Sequence, residues 1–197
     1  MPLMKKIIFL FLLIPVQLWA QTQQLNYDVL MKDEKIGTMK VLKITQKEHV
    51  SYTIESTITV NKIVSMLVEF KSTAEFHRGK MIKSSNKQII NGKVQNDTRT
   101  SWDGNQYQIY TLTGNSKLKE KTIDYDICML YFDEPNKRKR IYSDTYGKWM
   151  NIKSFDNHQY DLLLPDSKRS TYTFNYGICS RVETEQLFSK ITLLLTK

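Results

Sequence analysis

The sequence predicts an all-β fold, an antiparallel meander curled into a barrel or half-barrel with at most one or two short helices. Apolar and polar residues alternate with a period of two over most of the chain, and the alternating segments are rich in β-branched and aromatic residues. Turn residues separate these segments at intervals of roughly ten residues. A charged fraction of 25%, with only seven Gly and four Pro, excludes a collagen-like or largely disordered chain.

The first twenty residues have the layout of a secretory signal peptide. Lys5 and Lys6 form a basic start, residues 7–14 are an unbroken apolar run, and Ala20 is a small residue suited to cleavage. That run is much shorter than the ~20 residues of a membrane-spanning helix. We therefore expect residues 1–20 to be removed on export. Residues 21–197 would then form one antiparallel β domain, either periplasmic in a Gram-negative cell or secreted.

The mature chain predicts about ten strands, too many for a flat sheet. In the first segment Leu25, Tyr27, Val29 and Met31 share one face. The alternating segments are residues 23–32, 39–46, 49–60, 68–77, 81–90, 94–102, 107–112, 149–155, 160–164, 172–176 and 181–195. Such a sheet curls into a barrel or half-barrel or splits into a sandwich. We favour the curled sheet because the hairpins are long and amphipathic helices are nearly absent.

Two dipeptides give the strongest hairpin signals, Asn91-Gly92 and Asp103-Gly104, because these residue types tolerate positive φ. Weaker turn signals lie at residues 78–79, 114–115 and 165–167.

Two segments break the alternation. Residues 61–66 predict a kink or a single helical turn. Residues 122–135 predict a short helix with Asp124 as its N-cap, ending before Pro135; a buried strand is the alternative.

The sequence contains no recognisable catalytic or metal-binding motif, and we expect no cofactor. None of the three His has metal-ligand spacing, and His158 with Asp161 is an isolated pair on a predicted hairpin. Cys128 and Cys179 form a candidate disulfide, since the exported compartment is oxidising. The alternative is two separate buried thiols.

Two short clusters stand out between residues 131 and 140. The first cluster, residues 131–135, contains two adjacent acids. Adjacent acids in a strand or helix point in different directions, so we interpret this cluster as a structural corner and not as an acid/base site. The second is a candidate anion-binding patch in a chain of net charge +9, although a solvated loop or a charge-protected edge strand is the favoured interpretation. The corner is Tyr131, Phe132, Asp133, Glu134 and Pro135, and the patch is Lys137, Arg138, Lys139 and Arg140.

Several short motifs resemble those of one family of exported bacterial proteins. They are the corner at residues 130–135, Tyr160 with Pro165, and the aromatic residues of 172–177, whereas residues 27–29 with 36–38 resemble the opening hairpin of exported bacterial β proteins of unknown function more generally. In the first three the chain resembles the domain-of-unknown-function 6134 family of Gram-negative bacteria. The resemblance implies a periplasmic antiparallel β fold and no assigned activity. In layout alone, the chain is also similar to lipocalin-like proteins and periplasmic lipoprotein carriers.

We therefore predict a non-enzymatic periplasmic module that binds an apolar or amphipathic, lipid-like envelope molecule on its concave face. The alternatives are a structural or interaction protein whose partner is an envelope protein and, third, an enzyme. A hollow concave side would favour the first prediction and a filled one the second. We expect no nucleic-acid partner, because no basic and aromatic recognition motif is present, and we do not expect an integral membrane protein.

Overall fold

The computed structural model describes residues 20–61, 65–165, 168–186 and 189–196. The predicted signal peptide up to residue 19 lies outside the described residues, as does the centre of the 61–66 segment. The described part contains fourteen strands. They are β1 (Gln21–Met31), β2 (Glu34–Gln46), β3 (His49–Asn61), β4 (Ser65–His77), β5 (Lys80–Ile90), β6 (Lys93–Trp102), β7 (Tyr107–Thr111), β8 (Gly114–Leu118), β9 (Arg140–Ser143), β10 (Lys148–Phe155), β11 (Gln159–Leu163), β12 (Arg169–Asn175), β13 (Ile178–Gln186) and β14 (Ser189–Leu195).

All fourteen strands join one antiparallel sheet in the order β8-β7-β6-β5-β4-β3-β2-β1-β14-β13-β12-β11-β10-β9. The first and last strands, β1 and β14, pair at its centre, so the meander runs outward in both directions. This confirms the predicted all-β, antiparallel curled sheet. Two strands were missed, β8 and β9. Residues 181–195 were predicted as one strand, but residues 181–186 lie in β13 and residues 189–195 form β14, which pairs with β13.

Residues 119–139 connect the two edge strands of the sheet, β8 and β9. Their backbone is hydrogen-bonded to β5 in one half of the sheet and to edge strand β9 in the other, since Met81 N donates to Ile123 O at 2.9 Å and Tyr142 N donates to Tyr125 O at 3.1 Å. Ile123 and Tyr125 are fully buried. The connection therefore fills part of the concave side of the curled sheet.

The predicted helix in this connection is a single 3-10 helix, Ile127–Tyr131. Its N-cap is Asp126, whose Oδ1 accepts the Cys128 N–H at 2.7 Å. The predicted cap, Asp124, was wrong because its carboxylate faces away to pair with Arg138 at 2.9 Å. No helix in the described part of the chain is long and apolar enough to cross a membrane.

One end of the concave side is packed solid by aromatic rings. Tyr27 meets Tyr131 edge-on with ring centroids 5.5 Å apart, and Tyr160 meets Phe174 at 5.5 Å. The Tyr27 hydroxyl also donates to Cys179 O at 2.6 Å. Edge-to-face pairs of this kind add stability beyond the area that they bury, so this end forms the rigid core of the molecule.

Candidate functional site

A cavity of about 610 Å³ occupies the other end of the concave side. It lies where β1, β3, β5, β11 and β13 end and where β2, β4, β12 and β14 begin, because antiparallel neighbours bring alternating ends to one rim. The 3-10 helix contributes Ile127 and Tyr131 to its lining, and the β9–β10 turn contributes Thr145 and Tyr146. The concave side is thus filled at one end and hollow at the other.

Aliphatic and thioether side chains form most of the cavity wall, and they come from both halves of the sheet. They belong to Met31, Ile36, Met39, Ile58, Val60, Met66, Val68, Ile127, Leu164, Val182, Ile191 and Leu193, and the Phe70 ring adds an aromatic surface. Methionines adapt their shape more easily than branched residues, and three of them lie on β1, β2 and β4. The wall is therefore suited to an apolar guest of variable shape.

The polar groups in the wall are all uncharged among the described lining residues. Most already have partners: the Ser170 and Thr184 hydroxyls lie 2.7 Å apart, and Asn96 Nδ2 donates to Thr145 O at 3.2 Å. The buried Ser143 Oγ has no hydrogen-bond partner in the described part of the chain, but it has almost no accessible surface. The more accessible polar groups of the wall include the side-chain amides of Gln88 and Asn91.

Next to the cavity, on the far side of the 3-10 helix, lies a polar cluster formed by Ser72, Asp126, Cys128 and Asp144. All four are at most 1% exposed. The ligand atoms of Asp126, Cys128 and Asp144 all lie within 4.8 Å of one another. Ser72 Oγ donates to Asp144 Oδ2 and lies 3.4 Å from Cys128 Sγ. Three chain segments far apart in sequence therefore meet in one buried polar group.

Burial changes the proton affinity of every acidic group in this cluster, because water no longer solvates the charged form. It raises the pKa of Asp126 to about 6, although the Cys128 backbone N–H opposes the rise. Burial, together with the neighbouring Asp126, raises the pKa of Asp144 well above its usual range. Burial also raises the pKa of the Cys128 thiol. No ion pair among the described residues includes either carboxylate.

The two cysteines of the candidate disulfide are separate, fully buried thiols in the structure. Cys128 belongs to the polar cluster, whereas the hydrogen-bond contact of the Cys179 thiol within the described part of the chain is to the Arg181 carbonyl oxygen, at 3.5 Å. The structure thus places the two thiols in different chemical environments.

The candidate anion patch is partly neutralised by its own neighbours. Arg138 pairs with Asp124 at 2.9 Å, and its guanidinium lies 4.2 Å from the centroid of the Tyr125 ring. Arg140 pairs with Glu120 at 3.3 Å and lies over Trp149. Lys137 and Lys139 are exposed on the same loop. The two arginines therefore hold the connection between the edge strands in place.

In the predicted corner, Glu134 is a hydrogen-bond acceptor shared by two residues of the β10–β11 region. It accepts from the Tyr160 hydroxyl at 2.7 Å and lies 2.9 Å from His158 Nδ1. The hypothetical His158–Asp161 pair does not form, since Asp161 instead accepts from Thr171 at 2.7 Å. Tyr131 and Phe132 pack into the core, while Asp133 is exposed and Pro135 is buried.

Sequence reasoning missed Ser72, Asp126 and Asp144. The signal for Asp126 was the polar residue just before an apolar run, but no spacing connects it with a serine on β4 or with an aspartate after β9. Ser72 and Asp144 are 72 residues apart, and only the fold brings them together.

Residues 27–196 match the model of a family described as a domain of unknown function, DUF6134. The chain belongs to the DUF6134 family. The family that the short motifs resembled is therefore confirmed, and the match covers nearly the whole predicted mature chain. The description of the DUF6134 family assigns no activity. No curated protein sequence matches the chain.

Among solved structures, the DUF6134 chain is similar to a β-barrel-like protein of the domain of unknown function DUF1849 from Brucella abortus. The TM-score is 0.53, and the alignment covers 88% of this chain and 95% of the other at 8% identity. At that identity the likeness concerns the fold, and it agrees with a curled, barrel-like sheet.

Proposed function

We propose that this protein is a non-enzymatic binding module of the bacterial envelope that holds an amphipathic molecule with an uncharged polar group in the cavity. The observation that carries the proposal is the 610 Å³ cavity with its apolar wall. Volumes of ~300–1,000 Å³ are typical of small-molecule sites, and such sites combine an apolar wall with a few placed polar groups. Export to the periplasm, expected from the first twenty residues, is part of the proposal.

Charge complementarity supports an uncharged polar group on the ligand. A buried carboxylate or phosphate needs a cationic partner or several hydrogen-bond donors, and the described lining residues include no Lys, Arg or His. The side-chain amides of Gln88 and Asn91 are suited to a ligand hydroxyl, ester or amide. We therefore propose neutral acyl compounds, with the acyl chain against the methionines and the polar group near these two amides.

The hollow end also separates this proposal from the two alternatives. A core filled with side chains would have favoured the envelope interaction protein. A wall with converging His, Asp or Glu would have favoured an enzyme, and the described lining has none of these.

Two ligands with the same acyl chain test the proposal. The mature chain, expressed with its leader and purified from the periplasm, is titrated with monopalmitoylglycerol and with palmitate at neutral pH, and binding is followed by calorimetry. We expect the neutral glyceride to bind at least tenfold more tightly than the fatty acid. Native mass spectrometry of the untreated protein checks for a co-purified lipid. An unliganded mass together with no binding of either compound would contradict the proposal.

Two neighbouring residues on β4 provide a matched control for the position of the ligand. Met66 faces the cavity, whereas Leu67 is 40% exposed on the opposite face of the same strand. We expect Met66→Trp to fill the cavity and abolish binding, and Leu67→Trp to leave it unchanged. Equal loss of binding in both variants would place the ligand elsewhere.

A further inference from the structure

We infer that the buried cluster of Asp126, Cys128 and Asp144 is a structural site for one divalent transition-metal ion, with zinc as the best-suited ion. The inference goes beyond the proposed ligand cavity and is independent of it. Its first basis is geometric, because a carboxylate from each aspartate and the thiol sulfur converge within 4.8 Å in the protein interior.

A second observation points to a missing partner in this cluster. Asp126 is fully buried, its Oδ1 caps the 3-10 helix, and its Oδ2 has no hydrogen-bond partner among the described groups. A buried carboxylate oxygen without a donor is costly, and buried charges in proteins are generally paired or coordinate metals.

The donor set selects the class of ion. One sulfur and two carboxylate oxygens suit zinc, whereas calcium and magnesium prefer oxygen ligands alone. In a tetrahedral zinc site, ligands at bond lengths of ~2.3 Å for sulfur and ~2.0 Å for oxygen lie roughly 3.5 Å apart. The Cys128 Sγ to Asp144 Oδ2 distance is 3.8 Å, so little movement would bring both atoms into coordination. Ser72 would act as a positioning residue, holding Asp144 Oδ2 through its hydroxyl.

The position of the cluster indicates what the ion would do. Asp126 and Cys128 lie in the connection between the edge strands, and Asp144 directly follows edge strand β9. An ion bound here would fasten the connection to that margin of the curled sheet. The ligands are inaccessible to solvent, so the ion would enter as the protein folds.

The test is to unfold the mature chain with a chelator, remove the chelator, refold the chain with Co²⁺ as a spectroscopic probe and repeat the refolding with competing Zn²⁺. We expect one Co²⁺ per chain with a thiolate-to-cobalt charge-transfer band in the near ultraviolet, displaced by one Zn²⁺. Cys128→Ser should lose the band, and Asp144→Asn should weaken binding at least tenfold. Cys179→Ser is the matched control, since it removes an equally buried thiol that is not part of the cluster, and it should keep the band.

The metal content of wild-type protein purified from the periplasm without chelators gives a readout that needs no variant. Close to one zinc per chain supports the inference even if Cys128→Ser fails to fold. The inference is overturned by a content below a tenth of an ion per chain, by a band that survives Cys128→Ser, or by a band lost equally in Cys179→Ser. None of these results bears on binding of acyl compounds in the cavity.

Discussion

The hydroxyl oxygens of Thr100 and Tyr142 lie 2.7 Å apart in the interior and join β6 to β9. These strands belong to opposite margins of the sheet, whose edge strands β8 and β9 do not pair with each other. Among the described strands, no ladder of backbone hydrogen bonds joins these two margins. The side-chain hydrogen bond between Thr100 and Tyr142 therefore closes the curled sheet at this point.

We expect loss of this hydrogen bond to destabilise the fold by about 1–3 kcal/mol, since either single change leaves a buried hydroxyl without its partner. The changes are Tyr142→Phe and Thr100→Val, with urea unfolding as the measurement. Combined, they should cost less than the sum of the two single effects, because the second change removes the orphaned group. Tyr110→Phe, at a 45% exposed tyrosine on β7, is the control and should change stability little. Strictly additive effects of Tyr142→Phe and Thr100→Val on the free energy of unfolding would contradict a hydrogen bond between these two residues.

A second contact of the same margin involves a glycine. Gly147, in the β9–β10 turn, has a φ of +61°, and a Cβ built on it would lie 2.6 Å from Ile109 Cγ2 on β7. Gly92 has a φ of +76° but open space around it. Because both positions carry the same backbone strain on substitution, the difference between them isolates the steric clash.

We expect Gly147→Ala to lower the free energy of unfolding by about 1–3 kcal/mol more than Gly92→Ala, the range typical of overpacking. Thermal or urea unfolding measures the difference. In an Ile109→Ala background the clash should be smaller. The difference in destabilisation between Gly147→Ala and Gly92→Ala should therefore be smaller there than in the wild-type background. Equal destabilisation by the two glycine substitutions would mean that the turn does not pack against β7.

The sequence predicted the first seven strands well because each has one buried and one exposed face. In β4, buried residues recur at every second position from Ser72 to Phe76. The predicted Asn91-Gly92 turn also forms, with φ values of +48° and +76°. The alternation of residues within each strand and the residue types in the turn were enough to predict these elements.

The missed strand β9 shows why a local residue pattern does not reveal every strand. Ile141, Tyr142 and Ser143 are buried consecutively, so the strand has no alternation to detect. It is covered on both faces because it lies against β6 and the connection between the edge strands. The cavity and the polar cluster were hidden for the same reason, since both depend on how far the sheet curls and not on any local spacing.

The turn between β6 and β7 contains a carboxylate that should couple stability to pH. Asp103 accepts hydrogen bonds from the backbone N–H groups of Gln106 and Asn105 and from the Gln108 side chain, and these lower its pKa to about 2. The folded state thus favours the ionised form. Its stabilisation is present above the unfolded pKa of ~3.9 and is lost as the pH falls toward 2.

We therefore expect Asp103→Asn to lower the urea midpoint at pH 6 and to have a much smaller effect at pH 2, where the wild-type carboxylate becomes protonated. The measurement is the difference between wild-type and variant midpoints at the two pH values. The same difference at both would show that the charge of Asp103 does not contribute.

Thiol chemistry distinguishes the two interpretations of the cysteines. Cys128 and Cys179 are fully buried, so a thiol reagent cannot reach either sulfur in the folded protein, and burial also raises the pKa of the Cys179 thiol. We expect almost no reaction with a thiol reagent in the native protein and two thiols per chain in denaturant without reductant. No thiols in the denatured, unreduced protein would instead establish the disulfide.

The basic run offers a comparison between two neighbouring cations. Arg138 is paired with Asp124 and lies over the Tyr125 ring, whereas Lys137 is exposed. We expect Arg138→Ala to cost about 0.5–1.5 kcal/mol in urea unfolding, the sum of a cation–π contact and an exposed ion pair. Lys137→Ala should stay within about 0.5 kcal/mol of wild type.

Salt separates the two contributions of Arg138. High ionic strength screens the exposed ion pair but leaves the contact between guanidinium and ring largely intact. The destabilisation by Arg138→Ala should therefore shrink in 1 M salt, where the Debye length is only about 3 Å, without vanishing. Equal effects of Arg138→Ala and Lys137→Ala would mean that the run is a solvated loop with no part in holding the connection between β8 and β9.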